Sequence, residues 1–144
     1  MIRFLLDVNV LIALIDSTHV QHDRAHDWFG KQGKLGWATC PMTENGVIRI
    51  VGSNRYPNTP GSPAAVLEIL AVLRSLGGHE FWADDISLLD QKRVNASRLL
   101  DSAQVTDTYL LALAASHRGQ LATFDKHLVS VAVAGGSRAL FVIS

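Results

Sequence analysis

Short apolar runs alternate with longer segments of helical periodicity along the chain. The apolar runs predict strands at 4–6, 35–40, 81–83, 121–124 and 139–143. Apolar positions at helical spacing predict helices at 8–15, 23–29, 44–51, 63–76, 88–99 and 108–117, with a helical turn near 128–133. Strands and helices that alternate in this way are typical of an α/β domain whose parallel sheet is covered on both faces.

Capping residues refine the ends of these predicted helices. Thr43 is predicted to be the N-cap of helix 44–51, and Ser62 with Pro63 is predicted to begin helix 63–76. Ser87 followed by Asp90 resembles a capping box for helix 88–99. Gly30 and Gly33 are expected to end the second helix, and residues 52–63 form a loop rich in proline and glycine.

Composition narrows the class of protein. The chain has 144 residues, 48% of them hydrophobic and 18% charged, which favours one globular domain over residues 1–144. A formal net charge of zero argues against wrapping nucleic acid by bulk electrostatics. With Cys40 as its only cysteine, no signal peptide in its first residues and no membrane-length apolar segment, the chain is expected in the cytoplasm, without a membrane partner.

Four acidic residues stand where the predicted strands end or the predicted helices begin. Asp7 and Asp125 follow buried strands, whereas Glu44 and Asp107 lie in the first turns of helices. Each acid alone is explained by capping or by a turn. Together they can converge at the carboxyl edge of a parallel sheet. Clustered carboxylates repel one another unless a divalent cation compensates them, and an all-oxygen ligand set favours Mg²⁺ or Mn²⁺.

Four motifs carry a family resemblance. LLDVNVLIAL at 5–14, TENGVIRI at 43–50, TDTYLLALA at 106–114 and LATFDK at 121–126 resemble, in order and spacing, the motifs of PIN domains, in particular VapC-type toxins. The resemblance implies a three-layer α/β/α fold around a parallel sheet of about five strands. It also implies an Mg²⁺- or Mn²⁺-dependent endoribonuclease that acts as the toxin of a type II toxin–antitoxin pair. A cognate antitoxin and a homodimer are implied as well.

The resemblance also assigns roles to individual residues. It implies that Asp7 and Asp107 bind the metal, and that Glu44 and Asp125 complete the acidic pocket. Asn9 and Thr123 are candidates to orient the carboxylates and water, with ordinary turn and strand-end roles as the alternative. The family often has one more acid after the fourth motif, where this chain has Lys126 and His127. That departure weakens the case for a second metal ion.

Other residues carry weaker signals. Arg49, Arg55 and Lys126 are candidates to hold RNA phosphates near the acids, or else ordinary surface charges. The three histidines have the spacing of a zinc site, but capping and solvent-facing polar roles are the favoured explanation. The leucines of helix 63–76 serve either the core or a partner interface, and the tryptophans are expected in the core. These sets are His19, His22 and His26; Leu67, Leu70, Leu73 and Leu76; and Trp28, Trp37 and Trp82.

Two rival functions remain open from the sequence. One is a receiver-type phosphoacceptor domain, which is also a five-stranded α/β unit and for which Asp84 and Asp85 offer an acidic pair. That pair follows the third predicted strand, whereas a receiver needs it after the first. The other rival is a catalytically silent PIN-like module that binds a protein partner. A pure binding module has no reason to keep four acids.

Overall fold

A five-stranded parallel sheet forms the centre of the molecule in the computed structural model, which describes residues 1–144. Its strand order is β3-β2-β1-β4-β5, and every pairing is parallel. The strands are short: β1 Phe4–Leu6, β2 Trp37–Thr39, β3 His79–Phe81, β4 Gln120–Thr123 and β5 Leu140–Val142. The predicted number of strands and the parallel sheet are therefore confirmed, and β5 is an edge strand as expected.

Six α-helices surround this sheet. They are α1 Val8–Ile15, α2 His22–Lys31, α3 Pro41–Val51, α4 Pro63–Arg74, α5 Val105–Ser116 and α6 Gly136–Ala139. Short 3₁₀ turns lie at Gly33–Leu35, Ala96–Arg98 and Ser102–Gln104. None of the helices combines the length and the apolar character needed to span a bilayer.

Alternating side chains of the central strand divide the core into two layers. Phe4 and Leu6 join a cluster that includes the apolar faces of α1, α2, α3 and α4. Leu5, between them, points to the other face and packs in the cluster of α5 and α6. Successive residues of a strand face opposite sides of the sheet, so helices cover both faces. The three-layer α/β/α architecture is confirmed.

Strand order places a topological switch point at the centre of the sheet. The chain moves outwards from β1 through β2 to β3, and then returns to the other side of β1 as β4. Ligand sites of open parallel sheets form at such points, outside the carboxyl ends of the strands. This order also differs from the receiver-type order, in which the second strand lies at the edge and the third lies beside the first.

Helix α3 begins earlier than predicted. Cys40 is its N-cap and Pro41 its first residue, so Thr43 lies inside the first turn. There the hydroxyl of Thr43 accepts a hydrogen bond from the Cys40 backbone N–H at 3.0 Å. Gly30 lies within α2 and does not end it. The prediction for α4 is confirmed at its start, because Ser62 caps it and Pro63 follows.

Two segments predicted as helical are irregular, because they pair with each other. Helix 88–99 does not form, and no helical turn forms at 128–133. Val94 and Val133 form an antiparallel bridge instead. Backbone hydrogen bonds from Asn95 to Ala132 at 2.8 Å and from Ala134 to Arg93 at 2.9 Å extend it. These two bonds satisfy backbone groups on both sides of the bridge, and the tertiary pairing takes the place of the helices that the local pattern predicts.

The apolar residues singled out in the sequence divide between core and surface. All three tryptophans are buried, as expected: Trp28, Trp37 and Trp82. On α4, Leu70 belongs to the core and Leu67 is exposed, and Leu76, which follows the helix, is exposed as well. Exposed Val72 lies on the same helix, so part of α4 presents an apolar surface to solvent.

Candidate active site

Asp7 lies at the carboxyl end of β1 and begins helix α1 as its N-cap. One carboxylate oxygen accepts the Val8 backbone N–H at 2.8 Å, and the other accepts the Thr123 hydroxyl at 2.8 Å. The residue is only 8% exposed. A carboxylate buried at a strand end, with both oxygens already directed, is held in one orientation.

Thr123 connects two acids from the end of β4. Its hydroxyl donates to Asp7 and accepts the backbone N–H of Asp125 at 3.1 Å. Asp125 then closes a turn by accepting the His127 backbone N–H at 2.8 Å. The contact expected of Thr123 is therefore present. Asn9, the other candidate to orient a carboxylate, is exposed on α1.

Asp107 completes a cluster of three aspartates from the first turn of α5. Burial, and then the charges of Asp7 and Asp125, raise the pKa of Asp107 to about 6. Burial also raises the pKa of Asp7, and Asp125 adds to this effect, whereas the hydrogen bonds from Thr123 and Val8 oppose it. The three carboxylates therefore lie within one another's electrostatic field.

This aspartate cluster, Asp7, Asp107 and Asp125, has no compensating cation from the protein. The ion pairs of the structure involve other acids: Glu80, Asp27, Glu44 and Asp90. Asp7 is buried and Asp107 is half-buried, whereas Asp125 is exposed beside them. Like charges placed in this way without a partner are unfavourable unless a metal ion or a proton neutralises them. The electrostatics of the site thus favour binding of a cation.

Glu44, the fourth predicted acid, has a cationic partner of its own. On α3, its Oε2 atom accepts the Thr39 hydroxyl at 2.6 Å and lies 3.1 Å from the Arg74 guanidinium. It is absent from the charges that raise the pKa values of Asp7 and Asp107. The structure therefore brings the three aspartates together and sets Glu44 apart in an ion pair.

The donor set fits a hard divalent cation in its chemistry. All donors are carboxylate oxygens, which Mg²⁺ and Mn²⁺ prefer over the softer ligands of zinc or copper. The side chains as they stand form no ready-made cage, since no group of three or more His, Cys, Asp or Glu is arranged to hold a metal ion. Mg²⁺ usually keeps several waters and needs only one or two carboxylates.

The sequence of this chain matches a known protein family. The family model described as PIN domain matches residues 4–134. The chain belongs to the PIN domain family. This PIN domain is 46% identical over 136 residues to Ribonuclease VapC44 of Mycobacterium tuberculosis, covering 94% of this chain and 95% of the relative. It is 43% identical over 131 residues to Ribonuclease VapC39 of the same organism, with 91% and 94% covered. Within the family it is thus a VapC-type protein.

Solved structures agree on the fold. The crystal structure of Mycobacterium tuberculosis VapC20, described as a sarcin–ricin loop cleaving toxin, matches with a TM-score of 0.61 at 14% identity, covering 98% of both chains. A Rickettsia felis VapBC2 structure, bound to a promoter DNA fragment, matches with a TM-score of 0.52 at 12% identity, covering 86% of this chain and 89% of that one. At such low identity these likenesses speak for the fold alone.

The cations proposed to contact RNA are free of ion pairs in this PIN domain. Arg49, on α3, lines a cavity of about 510 Å³ together with Asn45 and Asp84. Arg55, in the loop after α3, and Lys126, directly after Asp125, are both exposed. Arg49 thus lies on the helix that carries Glu44, and Lys126 directly follows Asp125, whereas nothing in the structure links Arg55 to the aspartate cluster.

Asp84 has a structural role that differs from that of a receiver acid. Its carboxylate accepts the backbone N–H of Met42 at 3.0 Å, in the first turn of α3. A negative charge at a helix N-terminus satisfies an unpaired N–H and interacts favourably with the helix dipole. Together with the strand order, this contact removes the support for the receiver interpretation.

Sequence reasoning missed the groups that surround Glu44. Thr39 ends β2 just as Thr123 ends β4, and each donates its hydroxyl to a site acid. A threonine at the end of both strands was the signal in the sequence that could have predicted these contacts to the acids. Nothing in the sequence pointed to Arg74, which reaches Glu44 from the last turn of α4, 30 residues along the chain.

The three histidines whose spacing resembles a zinc site, His19, His22 and His26, form hydrogen bonds with backbone groups instead. His22 and His26 form hydrogen bonds with the carbonyl oxygens of Ala13 at 2.7 Å and Leu14 at 2.9 Å, near the end of α1. His19 accepts the Gln21 backbone N–H at 3.0 Å. These contacts match the alternative capping role, and the three side chains do not form a metal-binding group.

Proposed function

We propose that this PIN domain, residues 1–144, is a metal-dependent endoribonuclease that hydrolyses RNA phosphodiester bonds as the toxin of a type II toxin–antitoxin pair. The observation that carries the proposal is the aspartate cluster at the switch point of the sheet, with no cation of the protein beside it. Its VapC relatives are named ribonucleases, which supports the reaction class.

Mg²⁺ or Mn²⁺ is the proposed cofactor, and Asp7 and Asp107 are its proposed ligands. Asp7 is preorganised, since Val8 and Thr123 fix both of its oxygens. Asp107 adds a carboxylate with no competing hydrogen bond, and Asp125 supplies further negative charge. A divalent ion held there would supply Lewis-acid chemistry, which activates water and offsets negative charge on the phosphodiester. Glu44 is proposed to enter the acidic pocket after its ion pair with Arg74 opens.

The residues themselves have separable tasks in the proposed reaction. Thr123 keeps the Asp7 carboxylate oriented, so that this ligand does not have to reorganise during catalysis. Asp107 is a proposed metal ligand, and because burial and the charges of Asp7 and Asp125 raise its pKa to about 6, a proton competes with the metal ion for this carboxylate. Arg49 and Lys126, and less directly Arg55, are proposed to hold RNA phosphates that the acids would otherwise repel.

Partners follow from the same proposal. A cognate antitoxin is expected to inhibit the enzyme. The exposed apolar side chains of Leu67 and Val72 on α4, and of Leu76 just after it, supply surface for a protein contact. A Rickettsia felis relative in fold was solved as a VapBC pair, which supports a partner of this kind. We also propose a homodimer and a cytoplasmic location.

RNA cleavage with and without metal tests the proposal. Purified protein is incubated with total bacterial RNA in Mg²⁺, Mn²⁺ or EDTA, and the new 5′ ends are sequenced. Cleavage at defined sites is expected with either metal and not with EDTA. Asp7→Asn and Asp107→Asn should abolish it, whereas Glu68→Gln, an exposed acid on α4 without an ion pair, should leave it unchanged.

Two outcomes would contradict the proposal. Cleavage that persists in EDTA, or in folded Asp107→Asn protein, would show that the aspartates do not carry a metal-dependent reaction. Absence of any metal-dependent cleavage by the wild type would favour the alternative, a PIN domain that only binds a protein partner.

A further inference from the structure

A basic groove runs along α5 on the side of the sheet opposite α1 to α4. It consists of two adjoining cavities of about 550 Å³ and about 120 Å³, which share Ala115 and Ala134 in their walls. The larger lies between the end of α5, the start of β4 and helix α6, and the smaller continues beside Ala112. We call these two cavities the α5 groove.

Four cationic side chains line the α5 groove, and no acidic side chain does. Arg118 and Arg138 line the larger cavity, and Lys92 and Arg93 line the smaller. Only Arg93 has an ion-pair partner, Asp90 at 3.2 Å. Because the whole chain has no net charge, these three unpaired cations are a local concentration and not a reflection of overall basicity.

The fold holds these cations in place through backbone geometry. Arg118 adopts the left-handed conformation, with φ of 56°, where the chain turns from α5 into β4. The side-chain amide of Gln120 donates to the Arg138 carbonyl at 2.9 Å, which ties α6 to β4. The backbone bond from Ala134 to the Arg93 carbonyl, at 2.9 Å, joins the two walls. This conformation ends α5, since the Arg118 N–H bonds to the Ala115 carbonyl at 3.0 Å and the Gly119 N–H bonds to the Ala114 carbonyl at 2.9 Å, and it fixes where Arg118 leaves the helix.

Helix α5 links the groove to the candidate active site. Asp107 lies in the first turn, Ala112 is five residues further on and Ala115 eight residues further on. At 1.5 Å per residue, Ala112 lies about 7.5 Å and Arg118 about 16 Å along the helix direction from Asp107. The larger cavity therefore lies beside the amino ends of the strands, and an RNA strand cut at the aspartate cluster would follow α5 for about 16 Å before it reached Arg118.

We propose that the α5 groove binds the phosphate backbone of single-stranded RNA that flanks the cut site. The inference rests on the proposed ribonuclease function and adds a second contact region to it. Unpaired arginine and lysine side chains over small wall residues suit a bare phosphate chain. The groove lacks the aromatic anchors that are enriched in protein interfaces.

Binding in EDTA tests the groove independently of cleavage. Fluorescence anisotropy of a labelled 15-nucleotide oligouridine RNA is followed between 50 and 200 mM NaCl. Arg118→Ala with Arg138→Ala removes two unpaired cations. Lys34→Ala with Arg98→Ala is the control of equal charge, since both residues are exposed, form no ion pair and lie outside the groove. Single strands lose about 0.7 in salt slope per phosphate contact, so the groove variant should lose about 1.4. Over this fourfold salt range, wild-type affinity should then fall about sevenfold more than that of the variant.

A charge-preserving variant and a second ligand separate the alternatives. Arg118→Lys with Arg138→Lys should keep most of the binding, and thermal melts confirm that each variant is folded. An equal loss of binding in the Lys34→Ala, Arg98→Ala control would overturn the proposal, because bulk charge would then explain binding. A polyglutamate peptide that competes as well as RNA at equal charge would overturn it in favour of an acidic protein partner.

Cleavage kinetics connect the groove to the reaction. On an RNA that the wild type cuts, the groove variant should raise KM and leave kcat unchanged, because the groove lies away from the aspartates. A fall in kcat with KM unchanged would overturn the proposal. Failure of the ribonuclease function is distinguishable, since the wild type would then cut nothing while binding in EDTA still depended on Arg118 and Arg138.

Discussion

Neutralising Asp107 should stabilise the metal-free protein. The carboxylate makes no hydrogen bond of its own, so Asp107→Asn removes charge with little loss of contact. Burial and the charges of Asp7 and Asp125 raise its pKa from 3.8 to about 6. The folded state therefore binds the proton more tightly than the unfolded state, and ionisation of Asp107 at neutral pH opposes folding.

The size of the effect follows from that difference in pKa. A rise in the Asp107 pKa from 3.8 to about 6 corresponds to a loss of about 3 kcal/mol in the free energy of unfolding when the carboxylate is ionised. Because Asp107 is only half-buried, solvent screening reduces this to about 1.5 kcal/mol. The charged Asp107 also interacts favourably with the N-terminus of α5, and losing this interaction lowers the expected stabilisation of Asp107→Asn by about 0.5 kcal/mol. A net gain of about 1 kcal/mol, or about 3 °C in Tm, is expected for a chain of this size.

Urea unfolding in EDTA measures this gain. At pH 7.5 the midpoint of Asp107→Asn should exceed that of the wild type, and Glu68→Gln should leave it unchanged. Since the wild-type penalty arises between pH 3.8 and about 6, the gain should vanish near pH 4 and be complete above pH 6. A gain that persists at pH 4, or that equals that of Glu68→Gln, would refute the electrostatic explanation.

Three further substitutions test other parts of the structure. Thr123→Val removes the hydroxyl that donates to Asp7, so the Asp7 pKa in an NMR titration should rise further, and Thr123→Ser should restore it. Arg118→Gly relieves the left-handed backbone and should raise stability by about 1 kcal/mol; a lower urea midpoint would contradict this. Burial favours protonation of Asp16, but hydrogen bonds from Tyr56 and others outweigh it and hold the Asp16 pKa low. Asp16→Asn should therefore cost about 2 kcal/mol at pH 7, and progressively less below pH 4, as judged by urea midpoints.

The sequence by itself determined the fold class and most of the elements. Apolar runs and helical spacing placed β1, β4, α1 and α5 within a few residues, because burial on one or both faces dictates which positions are apolar. The order of the four motifs indicated the family. Asp7 and Asp125 stood out because each follows a buried strand that ends at a site-forming edge.

Tertiary structure decided the rest. The segments at 88–99 and 128–133 look helical alone, but they pair through Val94 and Val133, and no local pattern encodes a bond across about 40 residues. The same holds for Glu44, whose partner Arg74 arrives from another helix. Sequence spacing showed that four acids could converge, but only packing decided that three share one electrostatic field while the fourth is neutralised. Local propensity acts over a few residues, whereas electrostatic and hydrogen-bond partners depend on which elements the fold makes neighbours.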